Sequence, residues 1–251
     1  MREILVYGFL IFIICAFFGY FLEVCWVYIG TKKWVNRGFL CGPIIPIYGI
    51  GALLILFCLI RYYDDPVVVF VFGMIITSAL EYFVSFLMEK IFHNKWWDYS
   101  SEKYNLNGRI CLKNSFAFGV LSLVIVYLVT PILSMIFSLF SFRFWSVLSI
   151  VLFVILFCDV AYSVYVAYNL RNRIIIVEEL KKEKLAKIPI MFEKKLKELT
   201  TGFKTFPNRL LKAFPNLEAQ YHNSFEIMKK TREQQKEKLK KITSKIKDNN
   251  K

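Results

Sequence analysis

Five apolar runs dictate what this chain can become. They cover Ile4–Ile29, Ile44–Ile60, Pro66–Met88, Ser115–Phe140 and Phe144–Tyr168. Each is about as long as the ~20-residue helix that crosses a hydrocarbon core of ~30 Å. The same composition cannot fold in water, because 57% of the 251 residues are hydrophobic and one domain has too little interior to hide them. The sequence therefore predicts an all-α, polytopic helical membrane protein with five transmembrane helices. The first run follows a single Arg2 and has no Ala-x-Ala site, so it reads as a spanning helix rather than a signal peptide.

The charges outside these runs set an orientation. The link Gly30–Pro43 carries Lys32, Lys33 and Arg37, and the link Glu89–Asn114 carries Lys90, Lys95, Lys103, Arg109 and Lys113. The two short links carry only Arg61 and Arg143. Lys and Arg near span ends mark the cytoplasmic side, so the longer links are expected inside, with the N-terminus outside and the C-terminus cytoplasmic.

The chain then changes character. Residues 1–169 form the expected transmembrane domain. Residues 170–251 carry 22 Lys/Arg against 10 Asp/Glu and read as a basic, amphipathic cytoplasmic helical tail. Leu217, Tyr221, Phe225, Met228, Leu239, Ile242 and Ile246 fit one helical stripe, which Arg232 and Gln235 interrupt. The tail suits solvent, anionic lipid or a partner helix. Nucleic acid is not an expected partner, because no motif for it is present. The six cysteines have no C-x-x-C pair and no metal spacing, and read as small buried hydrophobes. No metal or cofactor is expected.

Acids inside spans are costly and rare, so Glu23, Glu81 and Asp159 stand out. Counting back from the inner ends of their spans places all three in the inner leaflet, with Glu89 at the rim. Gly19, Glu23, Trp26 and Gly30 share one face; Ser78, Glu81, Tyr82, Ser85 and Glu89 share another. Such carboxylates either pair with Arg37 or Arg109, cap a re-entrant backbone, or line a binding cavity. For Asp159 the structural role is favoured.

The two longer links carry the remaining chemistry. In "NRGFLCGPIIPIYGIG" the glycines and prolines fit either a plain Pro-rich helix start or a broken, re-entrant one. In "KWWDYSSEKYNLNGRI" the Trp and Tyr residues suit the headgroup layer, and Asn107-Gly108 signals a turn. Asp98, Asn105, Asn107 and Arg109 are left over, and read as the floor of a shared polar site.

These residues also carry a family resemblance. Gly19-Tyr20-x-x-Glu23-x-x-Trp26, Asn36-Arg37-Gly38-Phe39-Leu40-x-Gly42-Pro43 and Pro46-Ile47-Tyr48-Gly49-x-Gly51 form its first half. Glu81-Tyr82, Ser85, Glu89, Trp96-Trp97-Asp98-Tyr99-Ser100 and Asn105-Leu106-Asn107-Gly108-Arg109-Ile110 form its second. On these motifs, spanning about Tyr7 to Gly119, the chain resembles the bacterial membrane family labelled putative ABC-transporter type IV, or CmpB-type permease. Phe118-Gly119 stands where Trp-Gly is expected, and the tail lies outside the resemblance. The resemblance implies a transporter permease served by a separate ATPase subunit, since this chain has no G-x-x-x-x-G-K-[ST] phosphate loop.

The leading expectation is thus a permease-like membrane protein with a polar inner-leaflet site of Glu23, Arg37, Glu81, Glu89, Asp98, Asn107 and Arg109, able to hold a cation or a zwitterion. Five spans are few for a path, so a homo-oligomer among membrane lipids is expected. One rival is a membrane-embedded enzyme acting on lipid headgroups, with Mg²⁺ held by several acids. It lacks D-x-x-D and H-E-x-x-H motifs, and His93 and His222 are isolated. The other rival is a non-catalytic scaffold whose basic tail recruits a partner.

Overall fold

The computed structural model describes residues 1–32, 34, 36, 38–92, 95–182, 226, 230 and 233. The chain divides into two units, Met1–Tyr165 and Val166–Lys251. Arg37 and nearly all of the basic tail, including its apolar stripe, lie outside the described residues.

The described chain is helical, as the apolar runs require. The helices are α1 (Arg2–Thr31), α2 (Pro46–Leu59, extended by a 3₁₀ turn at Ile60–Tyr62), α3 (Pro66–Phe92), α4 (Leu112–Val124), α5 (Thr130–Ser138) and α6 (Phe142–Lys182). A five-residue π turn, Ile125–Val129, joins α4 to α5, and the two act as one span. Among the described residues four helices are long and apolar enough to cross a membrane: Arg2–Ile29, Pro66–Ile91, Leu112–Ser138 and Phe142–Asn169. The second run forms the shorter apolar helix Pro46–Tyr62.

Local chemistry explains the boundaries. Asp65 Oδ1 accepts the Val67 and Val68 amides, both at 3.1 Å, so it caps α3, with Pro66 pre-set at the first position. Pro131 has no N–H to offer and its ring would crowd the preceding turn. The π turn absorbs this: Thr130 N–H bonds Ile125 O, five residues back, and the Thr130 hydroxyl meets the same oxygen at 2.7 Å.

The second span starts late. Before Pro46 the chain is not helical, and Ile45 N–H donates to Ala16 O at 3.1 Å, halfway along α1. The stretch Gly38–Ile45 thus runs back alongside α1, and the structure takes the re-entrant option rather than the plain helix start. Backbone off the helix within a span is tolerated only against protein or a cavity.

The helices meet through glycines. At Gly19 an added Cβ would collide with the Tyr48 ring, at Gly49 with Phe12, and at Gly119 with Phe70. Close approach at small residues replaces the hydrophobic driving force that is missing between helices in lipid. α1 packs on α2, and α3 on both α2 and α4. The buried core joins Ala52, Ile55 and Leu59 of α2 to Val69 of α3 and to Ile125 and Val126 of the π turn. The expectation of buried cysteines is corrected: only Cys111 is buried, Cys15 and Cys58 are partly so, and Cys25, Cys41 and Cys158 are exposed.

Candidate functional site

α1 and α3 each carry one acid in their C-terminal half, Glu23 and Glu81, and each acid is met by a tyrosine from elsewhere. Tyr48 sits one turn into α2, its ring on Gly19 and its hydroxyl donating to Glu23 Oε1 at 2.9 Å. Gly19 is one helical turn before Glu23, so the bare face of α1 sets the depth of the phenol. Tyr99, from the loop after α3, donates to Glu81 Oε1 at 3.1 Å. Glu81 is only 5% exposed. Its second oxygen is buried without a hydrogen-bond partner.

The two pairs share one electrostatic neighbourhood. Burial pushes the Tyr99 phenol well above its ordinary value, and the charges of Glu81 and then Glu23 add to the shift. Tyr99 is therefore a permanent donor at neutral pH. Among the described residues no Lys or Arg pairs with Glu23 or Glu81.

Glu89 and Arg109 form a separate group. Arg109 Nη2 donates to Glu89 Oε2 at 2.8 Å, with the side chains 17% and 34% exposed, and Nη1 donates to the Tyr82 hydroxyl at 3.2 Å. The guanidinium also lies 5.2 Å from the Tyr82 ring centroid and 5.3 Å from that of Phe86. Asn107 Nδ2 donates to the same Tyr82 hydroxyl at 2.9 Å. Glu89 first, then Tyr82, hold the Arg109 guanidinium above its already high value. Arg109, a candidate partner for the acids within the spans, thus pairs with the rim acid Glu89.

A hairpin presents these groups. Strands β1 (Asn105–Leu106) and β2 (Ile110–Cys111) pair antiparallel, with Leu106 opposite Ile110. Asn107 (φ 55°) and Gly108 (φ 68°) turn the chain, and Arg109 N–H returns to Leu106 O at 3.0 Å. Two successive positive φ angles match the tight hairpin turn that Asn-Gly favours. Asp98 stays within the loop. It accepts the Ser100 hydroxyl and, at 3.0 Å, the Ser100 amide, with Lys95 3.9 Å away. The Ser100 hydroxyl, then its amide, and then Lys95 hold the Asp98 carboxyl below the usual carboxylate range. Asn105 is also internal, with Nδ2 on Glu102 O at 2.8 Å and Oδ1 accepting Gly108 N–H at 3.0 Å.

Asp159 meets backbone. Its Oδ1 accepts the Cys41 amide and its Oδ2 the Gly42 amide, both at 2.7 Å, and the Ser163 hydroxyl reaches Oδ1 at 3.2 Å. This is the structural role favoured for it, the capping of a re-entrant backbone.

Of the expected site residues, then, Glu23 and Glu81 share one neighbourhood; Glu89, Asn107 and Arg109 share another; Asp98 stands apart among its own loop neighbours. Glu81, Glu89 and Asp98 do not gather, and among the described residues no three acids, His or Cys are placed to hold a metal ion. Tyr48 and Tyr99 lie outside the site expected from the sequence, and Tyr82 entered it only as a member of the Glu81–Glu89 face. Their signal was the motif context, since each lies beside or within the stretches that carry the resemblance. The link "NRGFLCGP" and the tryptophan loop do meet: the Phe39 ring packs edge-on against Trp96 at 5.3 Å, and Trp96 is buried.

No curated protein and no solved structure matches the chain. A family model matches residues 10–164, which covers α1 through most of the last span and every residue of the acid layer and hairpin. With its several apolar helices the chain is thus a multi-pass membrane protein, and it belongs to the family described as putative ABC-transporter type IV.

Proposed function

We propose that the chain is the permease component of a transport system, with its substrate site in the inner leaflet around Glu23 and Glu81. The observation that carries this reading is Glu81: it is buried, bonded through one oxygen to Tyr99, and unpartnered at the other. A buried acid without a cation is expensive and has a functional reading by default. Glu89, Asn107 and Arg109 form the clasp that closes the site from the loop side. Arg37 and Asp98 belong to the links that frame it. The cargo is a cation, or a zwitterion if a basic residue joins the acids.

In this reading the long links and the basic tail face the cytoplasm and the N-terminus lies outside. Energy comes from a separate ATPase subunit, as the family name suggests. Five helices are few to enclose a path, so more than one copy assembles among membrane lipids. The lipid-headgroup enzyme needs acids gathered around a metal, and the pairings of Glu89 and Asp98 work against it.

The test uses the full chain in phosphatidylcholine nanodiscs and a panel of monovalent cations, divalent cations, amines and small zwitterions. At least one probe should raise the melting temperature of the native chain. Glu81→Gln, folded to the same degree, should weaken that effect roughly tenfold, the loss of one charged hydrogen bond. Equal response in native chain and variant would remove Glu81 from the site. No response to any probe would end the reading.

A further inference from the structure

A second polar feature joins the link before α2 to α6 and uses none of these residues. The re-entrant stretch Gly38–Ile45 turns two consecutive amides, Cys41 and Gly42, toward α6. They hold the two oxygens of one carboxylate, one amide to each oxygen at 2.7 Å. Consecutive backbone N–H groups that grip one anion form a concave anion site. The anion here is Asp159, roughly 26 Å along α6 from Phe142 at 1.5 Å per residue, well within the span Phe142–Asn169.

Two details separate this from an ordinary backbone cap. The seat is close: at Gly42 an added Cβ would stand 3.0 Å from Oδ2, so the carboxylate would have to give by a few tenths of an ångström. The occupant is also charged where charge is costly, and among the described residues no Lys or Arg pairs with it. A neutral acceptor could satisfy two amides without placing an ion in the span. Discontinuous spans near mid-depth are where membrane proteins bind ions and ionised groups, because the free backbone groups at the break point at the ligand.

We propose that the Cys41–Gly42 amide pair is an anion-binding subsite for a carboxylate or phosphate group, and that Asp159 fills it as a tethered stand-in when no such anion is bound. The Ser163 hydroxyl on Oδ1 steadies the stand-in. Entry of an external anion frees Asp159 and with it the hold of α6 on the re-entrant stretch. This is independent of the acid layer, and it could fail while the acid layer holds.

The test reads the two amides themselves, by hydrogen exchange of the peptide containing Cys41 and Gly42, in the full chain in dodecyl maltoside micelles, whose headgroup carries neither phosphate nor carboxylate. In Asp159→Asn the carboxamide offers one acceptor and turns a donor toward the other amide. Exchange should then run roughly tenfold faster than in the native chain. Millimolar acetate or inorganic phosphate should restore slow exchange in the variant and leave the native chain unchanged. Nanodiscs of phosphatidylglycerol, with no added anion, separate the sources: slow exchange there assigns a lipid headgroup, and slow exchange only with the soluble anions assigns a free one. Fast exchange that no anion slows, or exchange as slow as in the native chain without any anion, overturns the proposal and leaves Asp159 a structural cap. If Asp159→Asn does not fold, Ser163→Ala decides. There the charge stays but its support is gone, and anion-dependent slowing of the two amides supports the subsite, while its absence overturns it.

Discussion

Two neighbouring regions of the helical bundle treat their acids in opposite ways. In the hairpin clasp, Glu89 has a guanidinium at 2.8 Å, and that guanidinium has a phenol and two aromatic faces as well. In the acid layer, Glu23 and Glu81 have tyrosine hydroxyls and no cation among the described residues. The clasp is electrostatically finished. The layer is electrostatically open, and an open site is one that a ligand can complete. The same residue type therefore does different work according to whether its partner is supplied by the chain.

The contrast can be broken most directly by neutralising one acid from each region. Glu89→Gln leaves Arg109 without its anion, and should lower the melting temperature of the full chain by roughly 5 °C. Glu81→Gln removes a charge that has no counterion, and should leave the melting temperature unchanged or higher in the absence of probe. Equal losses for both, measured in the same nanodiscs, would show that the layer is as closed as the clasp.

A smaller effect tests whether the clasp depends on the turn beneath it. Gly108→Ala puts a side chain at φ 68° and drives its Cβ into Asp98 and Ser100. The left-handed conformation alone costs about 1 kcal/mol, so the variant should melt roughly 3 °C lower. Protease cleavage within residues 99–108 should rise with it, and unchanged cleavage would detach the turn from the clasp. The smallest effect belongs to Asp98. Its folded value lies below its unfolded one, so its contribution is present above the ordinary carboxylate range and is lost as pH falls through the depressed value. The exposed site makes this slight. Acid titration of Trp97 fluorescence should show a small loosening of the loop only below about pH 3.8, the unperturbed value. A transition near neutrality would contradict it.

Much of this was legible in the chain. Four of the five apolar runs form helices long enough to cross a membrane, as their length implies, the turn at Asn107-Gly108 follows from side-chain chemistry, and Glu23 and Glu81 stand out by the cost of charge in lipid. The pairings were less legible. Arg109 was a candidate partner for any inner acid, and only the three-dimensional course of the hairpin selects Glu89. Tyr99 read as an interfacial residue, because a phenol looks apolar along most of its length, and Tyr48 stood out only within a motif. The partners of Asp159 carried no side-chain signal at all, since a backbone amide is the same at every position. The late start of α2 was an open alternative for a related reason: Ile44 and Ile45 are apolar whether they begin a helix or run extended beside one.

That late start makes one helix lean on another at its first turn. Pro46–Tyr62 has 17 residues, at the lower limit of what spans a bilayer. The docking points of its first turn belong to the helix before it: Ala16 O takes the Ile45 amide, Gly19 takes the Tyr48 ring, and Phe12 lies in the notch at Gly49. Further along, the same helix packs on α3 and the π turn. A larger residue at Gly19 or Gly49 should therefore displace the start of α2 while leaving its far end in place.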